Sequence, residues 1–381
     1  MTAHGGPLRG VRVVELASIG PGPHAAMTLA DLGADVIRVE RPGGTLSAVA
    51  RDKDVLTRGR PSVAMDLKDP RAAGVVLDLV ATADVLIEGM RPGVAERLGV
   101  GPAECLARNP RLVYGRMTGW GQEGPLAQRA GHDIDYIAVS GSLHGLGRAG
   151  GPPQFPQNLL GDFAGGSAYL VIGVLAALLE ARTSGQGQVV DAAIVDGTAH
   201  LNAMLAGLIA GGAWREERGR NLLDSGAPFY DVYETADGRH MAVGAIEPPF
   251  YTELLEGLGL VEAAPDRSDP GNWPALREAL AARFRERTQQ EWTRVFEGTD
   301  ACVSPVLALT EAARHPHLAA RHTYLEQHEL VQPAPAPRFS RTPAGLGSPP
   351  SLPGQHSREA LQAWGVEDVD RLVTDGVVTQ A

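Results

Sequence analysis

Val11-Arg-Val-Val-Glu-Leu16 leads through Ala17-Ser-Ile-Gly-Pro-Gly-Pro-His24 into an apolar helical pattern that ends at Leu32. Asp35-Val-Ile-Arg-Val-Glu40 then follows. The first and last segments are short β-rich runs, and the Gly/Pro cluster between them marks a strand-to-helix turn. The alternation continues with a third strand over Ser62–Asp66 and a helix over Pro70–Ala81, with Pro in its first turn. Asp84–Glu88 and Leu112–Met117 read as a fourth and a fifth strand. Strand–helix–strand spacing of this kind predicts a Rossmann-like parallel sheet with helices on both faces, an α/β fold.

Further along, the pattern changes. Asp162–Arg182 reads as a long helix with Asp162 at its N-cap and Ser184-Gly185 at its end. From about residue 225 the style becomes α+β. Phe229–Glu234 and His240–Ala245 flank Asp237-Gly238, a hairpin signal. Helical segments follow near 250–258, 273–287 and 289–297, the last opened by the capping-box pair Thr288 and Glu291. Prolines crowd Gln332–Pro353, an extended connection, and a helical tail starts at Ser357. The expected organisation is a large domain over 1–200, completed by 330–381, and a small α+β domain over 225–320. Segments 201–224 and 321–353 are the expected linkers.

The chain has 381 residues, enough for two or three folding units at ~100–200 residues each. With 44% hydrophobic and 21% charged residues it is compositionally globular, which excludes a wholly disordered chain. A net charge of −11 argues against sequence-independent nucleic-acid binding and against anionic membranes. An anionic substrate therefore needs a local arginine cluster. Two cysteines, Cys105 and Cys302, make neither a disulfide framework nor a zinc site. Phe163–Leu179 is the longest apolar stretch, shorter than the ~20 residues of a bilayer helix, and is expected to be a buried core helix. The N-terminal residues show no signal pattern, and Val-Thr-Gln-Ala at the C-terminus carries no peroxisomal or ER address. The expectation is a soluble cytoplasmic protein.

Several groups are chemically suggestive. The loop Ser18–His24 sits where a dinucleotide fold places its phosphate loop, but the third glycine of the fingerprint is Ala25. Pro21 and Pro23 also remove two N–H donors. Glu40 stands where a ribose ligand would, with Arg41 directly after it. Arg38, Arg41, Arg51, Arg58, Arg60, Arg91 and Arg97 cluster early, either as phosphate ligands or as a solvated surface. His132, just ahead of a helix, is expected to be neutral and able to accept a proton, or else simply a cap. Asp162 and Glu247 carry the same ambiguity, and helix N–H groups are expected to make Asp162 less basic. His315, His317, His322 and His328 lack carboxylate or cysteine partners at metal-ligand spacing, so they read as loop histidines.

Taken together, Val13-Val-Glu-Leu-Ala17, Gly20-Pro-Gly-Pro23, Ala30–Val36, Arg41-Pro-Gly43, Asp84–Glu88, Arg91-Pro-Gly-Val94 and Thr118-Gly-Trp-Gly121 resemble the family III CoA-transferases of the CaiB/BaiF type. Ala130-Gly-His-Asp-Ile-Asp-Tyr136 resembles the racemase branch of that superfamily, whose transferases lack the histidine. Asn158–Gly166, Gly226–Tyr230, Ala242–Pro248 and Gly298–Val303 extend the likeness across about residues 7–345. The resemblance implies that His132 and Asp162 are two acid/base groups. Glu247 would partner the histidine across the interface of an interlocked homodimer. It implies that Arg41, Leu67, Lys68, Glu88, Arg97, Gly121 and Asp133 lie around coenzyme A, with the Gly119–Ala127 loop near the thioester.

The implied reaction is epimerisation of the α-carbon of 2-methylacyl-CoA thioesters. Inversion needs one group to remove a proton and a second to return one on the opposite face, which requires no metal or organic cofactor. The S epimer would surrender its proton to His132 and the R epimer to Asp162. Helix N–H groups beside Asp162 are expected to stabilise the enolate, and Gly161, Gly165 and Gly166 to let substrate approach the backbone. The rival on the same fold is a CoA-transferase in which Asp162 attacks the acyl-CoA to form an anhydride; His132 and Glu247 have no part in that route. A silent acyl-CoA-binding protein and an NAD-dependent oxidoreductase are the remaining readings. Fatty-acid and lipid metabolism is the expected setting.

Overall fold

The computed structural model describes residues 5–44 and 47–381. β1 (Arg12–Leu16), β2 (Asp35–Glu40) and β3 (Ser62–Met65) run parallel, as do β4 (Val85–Glu88), β5 (Val113–Thr118) and β6 (Val189–Ala193). They form a mixed seven-stranded sheet in the order closing strand, β3, β2, β1, β4, β5, β6. The closing strand, Val378–Thr379, is antiparallel to β3. The strand order turns around between β1 and β4, and in open α/β sheets ligands bind beyond the carboxyl ends of the strands at such a switch point.

α1 (Pro21–Asp31) follows β1, and α2 (Pro70–Val80) follows β3. α1 opens three residues earlier than the expected His24, with Pro21 and Pro23 in its first turn, where a missing N–H costs nothing. α3 (Val94–Arg97) and α4 (Pro102–Arg108) lie between β4 and β5. α5 (Asp133–Val139) follows β5, and α7 (Ile194–Leu201) follows β6. Two apolar layers cover the sheet. One gathers Val14, Ile37, Val76, Leu86 and Tyr114 with Leu361 and Trp364 from the C-terminal segment. The other gathers Val13, Leu29, Val36, Ile87, Val113, Leu170 and Val174.

The predicted helix over Asp162–Arg182 differs in form. A π-helical turn, Leu159–Ala168, runs into α6 (Tyr169–Ser184), and its N-cap is Asn158. Asp162 is thus inside the first turn instead of at the cap. The continuous run Leu159–Ser184 is 26 residues long, enough by length and composition to cross a bilayer. Here it packs Leu170, Val171, Val174, Ala177 and Ala181 into the protein and exposes Ile172 and Leu179.

The chain separates into two compact units. One contains the described residues through Ser140 together with Pro156–Leu201 and Ala319–Ala381, and holds the seven-stranded sheet. Within it Tyr324–Gln327 and Leu330–Pro333 pair as a hairpin, in a segment expected to be a linker. The other unit, Gly141–Phe155 and Asn202–Leu318, opens with α8 (Ala203–Ala210). Its sheet joins β7 (Tyr230–Glu234), β8 (His240–Gly244) and β9 (Val303–Pro305), all antiparallel. Gly238 takes the left-handed conformation (φ +73°) in the predicted hairpin. α9 (Pro248–Leu258), α10 (Trp273–Phe284) and α11 (Gln289–Phe296) complete it around Phe284, Trp292 and Phe296. The Thr288 cap forms as expected: its hydroxyl accepts the Glu291 N–H, and the Glu291 carboxylate accepts the Thr288 N–H at 2.8 Å.

Candidate active site

At the switch point the loops after β1 and β4 approach closely enough that glycines are needed. A Cβ at Gly89, after β4, would come within 2.8 Å of the Ser18 side chain in the loop after β1. A Cβ at Gly20 would stand 3.2 Å from Asp162 Oδ2, so the start of α1 closes directly on that carboxylate. After β5, a Cβ at Gly119 would enter the Tyr136 ring (2.0 Å), which clamps this loop to α5. Tyr136 donates its hydroxyl to the Gly131 carbonyl at 2.5 Å and packs edge-on to Trp120. Burial, reinforced by the nearby Asp162 charge, pushes the Tyr136 phenol up to about 12, so it stays a donor.

His132 is the N-cap residue of α5. Its N–H is accepted by Asp135 Oδ2 at 2.9 Å, and the residue is exposed. Asp162 lies on the π-helical turn, part-buried, and Oδ2 accepts from Asn158 Nδ2 at 3.1 Å. Its carboxyl is held above the usual carboxylate range, first by burial and then by the Asp133 charge. The Asn158 hydrogen bond and the nearby His132 pull the other way. The expectation that helix N–H groups make Asp162 less basic is therefore reversed, because desolvation outweighs them. His132 lies close enough for its charge to act on the Asp162 carboxyl.

Asp133 was expected near coenzyme A. Its side chain is instead buried and turned inward: Oδ2 accepts the Asp162 N–H at 2.7 Å, and Oδ1 has no hydrogen-bond partner among the described residues. The Asp162 N–H is thereby used internally, which removes it from the groups expected to stabilise an enolate. The expected purpose of the three glycines also changes. A Cβ at Gly161 would strike Asp133 (2.4 Å), at Gly165 the Thr198 hydroxyl (2.3 Å), and at Gly166 Ile194 (3.0 Å). These glycines admit neighbouring protein, not substrate.

Most of the remaining expected ligand positions fall at or just after carboxyl ends of strands; Arg97 ends α3. Arg41 follows β2, is exposed, and donates Nε to the Gly44 carbonyl at 2.8 Å. Lys68 is exposed after β3, whereas Leu67 packs against the core. Arg97 is exposed at the end of α3. Gly121 (φ +88°) donates to Thr118 Oγ1 at 3.0 Å. Glu88 is different: its side chain is fully buried, with Oε2 accepting the Met90 N–H at 2.6 Å and Oε1 accepting Arg116 Nε at 2.9 Å. It holds the loop that carries Arg91, with both oxygens turned to partners inside the protein. Glu40, weighed as a ribose ligand, is likewise buried and accepts from Arg51 and Ser62, both at 2.6 Å.

In the other unit Glu247 is the N-cap residue of α9, exposed and without a capping hydrogen bond. Capping therefore does not account for it. Among the described residues no three His, Cys, Asp or Glu side chains are gathered as a metal site requires. Asn158, Gly20 and Tyr136 were not singled out by sequence reasoning. Asn158 stood in the quoted Asn158–Gly166 motif, and its spacing of one turn from Asp162 was the available signal.

A Rossmann-like sheet with a histidine and a raised-pKa carboxyl near its switch point, and exposed cations following its strands, fits enzymes that act on CoA thioesters. The chain belongs to CoA-transferase family III, whose model matches residues 8–357. It is 46% identical over 377 residues to the alpha-methylacyl-CoA racemase of Mus musculus and 44% identical to that of Homo sapiens. Each alignment covers 97% of both chains. Among solved structures, a CAIB/BAIF family protein from Brucella suis superposes with a TM-score of 0.81 at 27% identity. That likeness covers 94% of this chain and 99% of the other.

Proposed function

We propose that this protein is an enzyme that epimerises the α-carbon of 2-methylacyl-CoA thioesters. The observation that carries the reading is His132 near Asp162, an exposed imidazole close enough to act on a carboxyl kept more basic than usual by burial. One of them removes the α-proton, and the electron pair delocalises onto the thioester oxygen as an enolate. The other, protonated, delivers its proton to the opposite face, and the reverse direction uses the same pair with roles exchanged. Identity of 44–46% to racemases over nearly the full length supports this chemistry over acyl transfer. A transferase needs only the Asp162 nucleophile, and His132 would then be idle. No metal or organic cofactor enters the proposed steps; coenzyme A arrives with the substrate.

Arg41, Lys68 and Arg97, exposed in segments that follow strands, are the proposed partners of the coenzyme A phosphates on an otherwise acidic chain. The working form is proposed to be an interlocked homodimer in the cytoplasm, with Glu247 supplied to His132 by the partner subunit. Exposed apolar side chains, Ile172 and Leu179 on α6 and Met204 and Ile209 on α8, support self-association.

The test is incubation with one epimer of a 2-methylacyl-CoA in deuterated water, reading α-carbon mass and configuration. Deuterium gain with inversion is expected. Transfer of CoA to an added carboxylic acid without exchange would establish the transferase instead.

A further inference from the structure

A π-helical turn is a rarely populated conformation that persists only where its surroundings over-determine it, and such turns gather at functional sites. Leu159–Ala168 carries Asp162, so whatever sets the register of that turn sets where the carboxyl points. α1 supplies contacts at two places. His24 Nδ1 lies 2.6 Å from the hydroxyl of Ser167, which is fully buried and stands at i+5 from Asp162, the span of a π-helical hydrogen bond. The same imidazole packs on Phe163, the residue after Asp162, with ring centroids 4.6 Å apart. One turn earlier in α1, Gly20 abuts the carboxylate itself.

We propose that His24 is a positioning residue for proton transfer by Asp162, fixing the register of the π-helical turn through Ser167 and Phe163. It rests on the reading of Asp162 as one of the two bases. Burial first, then the Arg58 and Arg60 charges, hold the His24 imidazole below its ordinary pKa, which favours a neutral ring facing the Ser167 hydroxyl. Removing the imidazole leaves the crevice cations and His132 untouched but frees Asp162 to rotate away from the α-carbon. A base displaced by about 1 Å loses on the order of tenfold to a hundredfold in rate without loss of substrate affinity.

The test uses the full chain as wild type, His24→Ala, His24→Asn, Ser167→Ala and Asp162→Asn, with both epimers of a 2-methylacyl-CoA in deuterated water. In His24→Ala, kcat is expected to fall about tenfold with KM within roughly twofold. Deuterium wash-in from the epimer that meets His132 should continue while inversion falls, so labelled starting epimer accumulates. His24→Asn, whose amide reaches the Nδ1 position, should recover most of the loss, and Ser167→Ala should reproduce it at an unchanged melting temperature. Unchanged kcat, an unchanged ratio of wash-in to inversion, or an Asn variant no better than Ala overturns the proposal. If His24→Ala fails to fold, Ser167→Ala decides alone by the same ratio. Wild type that does not invert the substrate refutes the epimerase reading and this inference with it. Inversion that Asp162→Asn abolishes and His24→Ala leaves intact refutes only the positioning role.

Discussion

Asp162 and its neighbour Asp133 show how little freedom the proposed base has. Its N–H is taken by Asp133, one oxygen by Asn158, and Gly20 blocks the space beside the other contacts. Asp162→Asn and His132→Ala should each lower epimerisation by at least about 10²-fold while coenzyme A binding, read by calorimetry, is retained. A subtler variant is Asp133→Asn, which keeps an oxygen for the Asp162 N–H but removes the like charge that helps raise Asp162. From the epimer whose proton goes to Asp162, activity requires the ionised carboxylate and falls as pH drops through its raised pKa. The acid limb of kcat/KM should therefore move to lower pH in Asp133→Asn. A limb that stays in place would mean that burial alone raises Asp162. Sequence reading named His132, Asp162, Asp133 and Glu88 alike, but Asp133 and Glu88 turn into the protein, because a sequence shows that a carboxylate is present, not which way it faces.

At the scale of elements, the site depends on helices that approach more closely than side chains permit. α7 meets the π-helical turn at Gly197, where a Cβ would lie 1.9 Å from the Gly165 carbonyl oxygen. Gly197→Ala must separate the two backbones, and should cost about 1–3 kcal/mol in urea unfolding together with most of the activity. Gly145→Ala, where an added Cβ meets nothing within 4 Å, is the control and should change little. The first five strands and α1 and α2 were legible because their apolar periods and flanking Pro and Gly are local signals. β6 and the closing strand were missed. Val189–Ala193 is short and alternates poorly, and Val378–Thr379 is a strand only because β3 offers it an edge. The π-helical turn carries no signal of its own either; packing on α1, α5 and α7 imposes it.

For the whole molecule, charge is distributed unlike a simple surface. The sheet buries Glu15 between Arg38 and Arg60, and Arg60 also donates to the Pro23 carbonyl at 3.1 Å inside α1. All three side chains are nearly or wholly buried, and burial lowers the Arg60 guanidinium to about 10. Glu15→Ala would remove the carboxylate shared by two buried cations, leaving Arg38 to Glu40 and Arg60 to backbone carbonyls, and should lower unfolding free energy by about 3 kcal/mol. Assembly is testable by complementation. If Glu247 serves the partner's His132, mixing inactive His132→Ala and Glu247→Ala subunits should restore roughly a quarter of wild-type activity, because half the dimers are mixed and each has one intact site. No recovery on mixing would place both groups in one subunit or remove Glu247 from the site.

Local chemistry written in the chain determined the parallel α/β class, the hairpin at Asp237-Gly238, the Thr288 cap and the place of His132 just ahead of a helix. Such features depend on neighbours within a few residues, so they survive in a one-dimensional reading. Tertiary structure alone decided that Asp162 is more basic than usual, that Asp133 and Glu88 serve the protein, and that Gly161, Gly165 and Gly166 admit other elements instead of substrate. Burial, close approach and the direction of a carboxylate arise between segments far apart in sequence, and a carboxyl's basicity follows from what those segments exclude from around it.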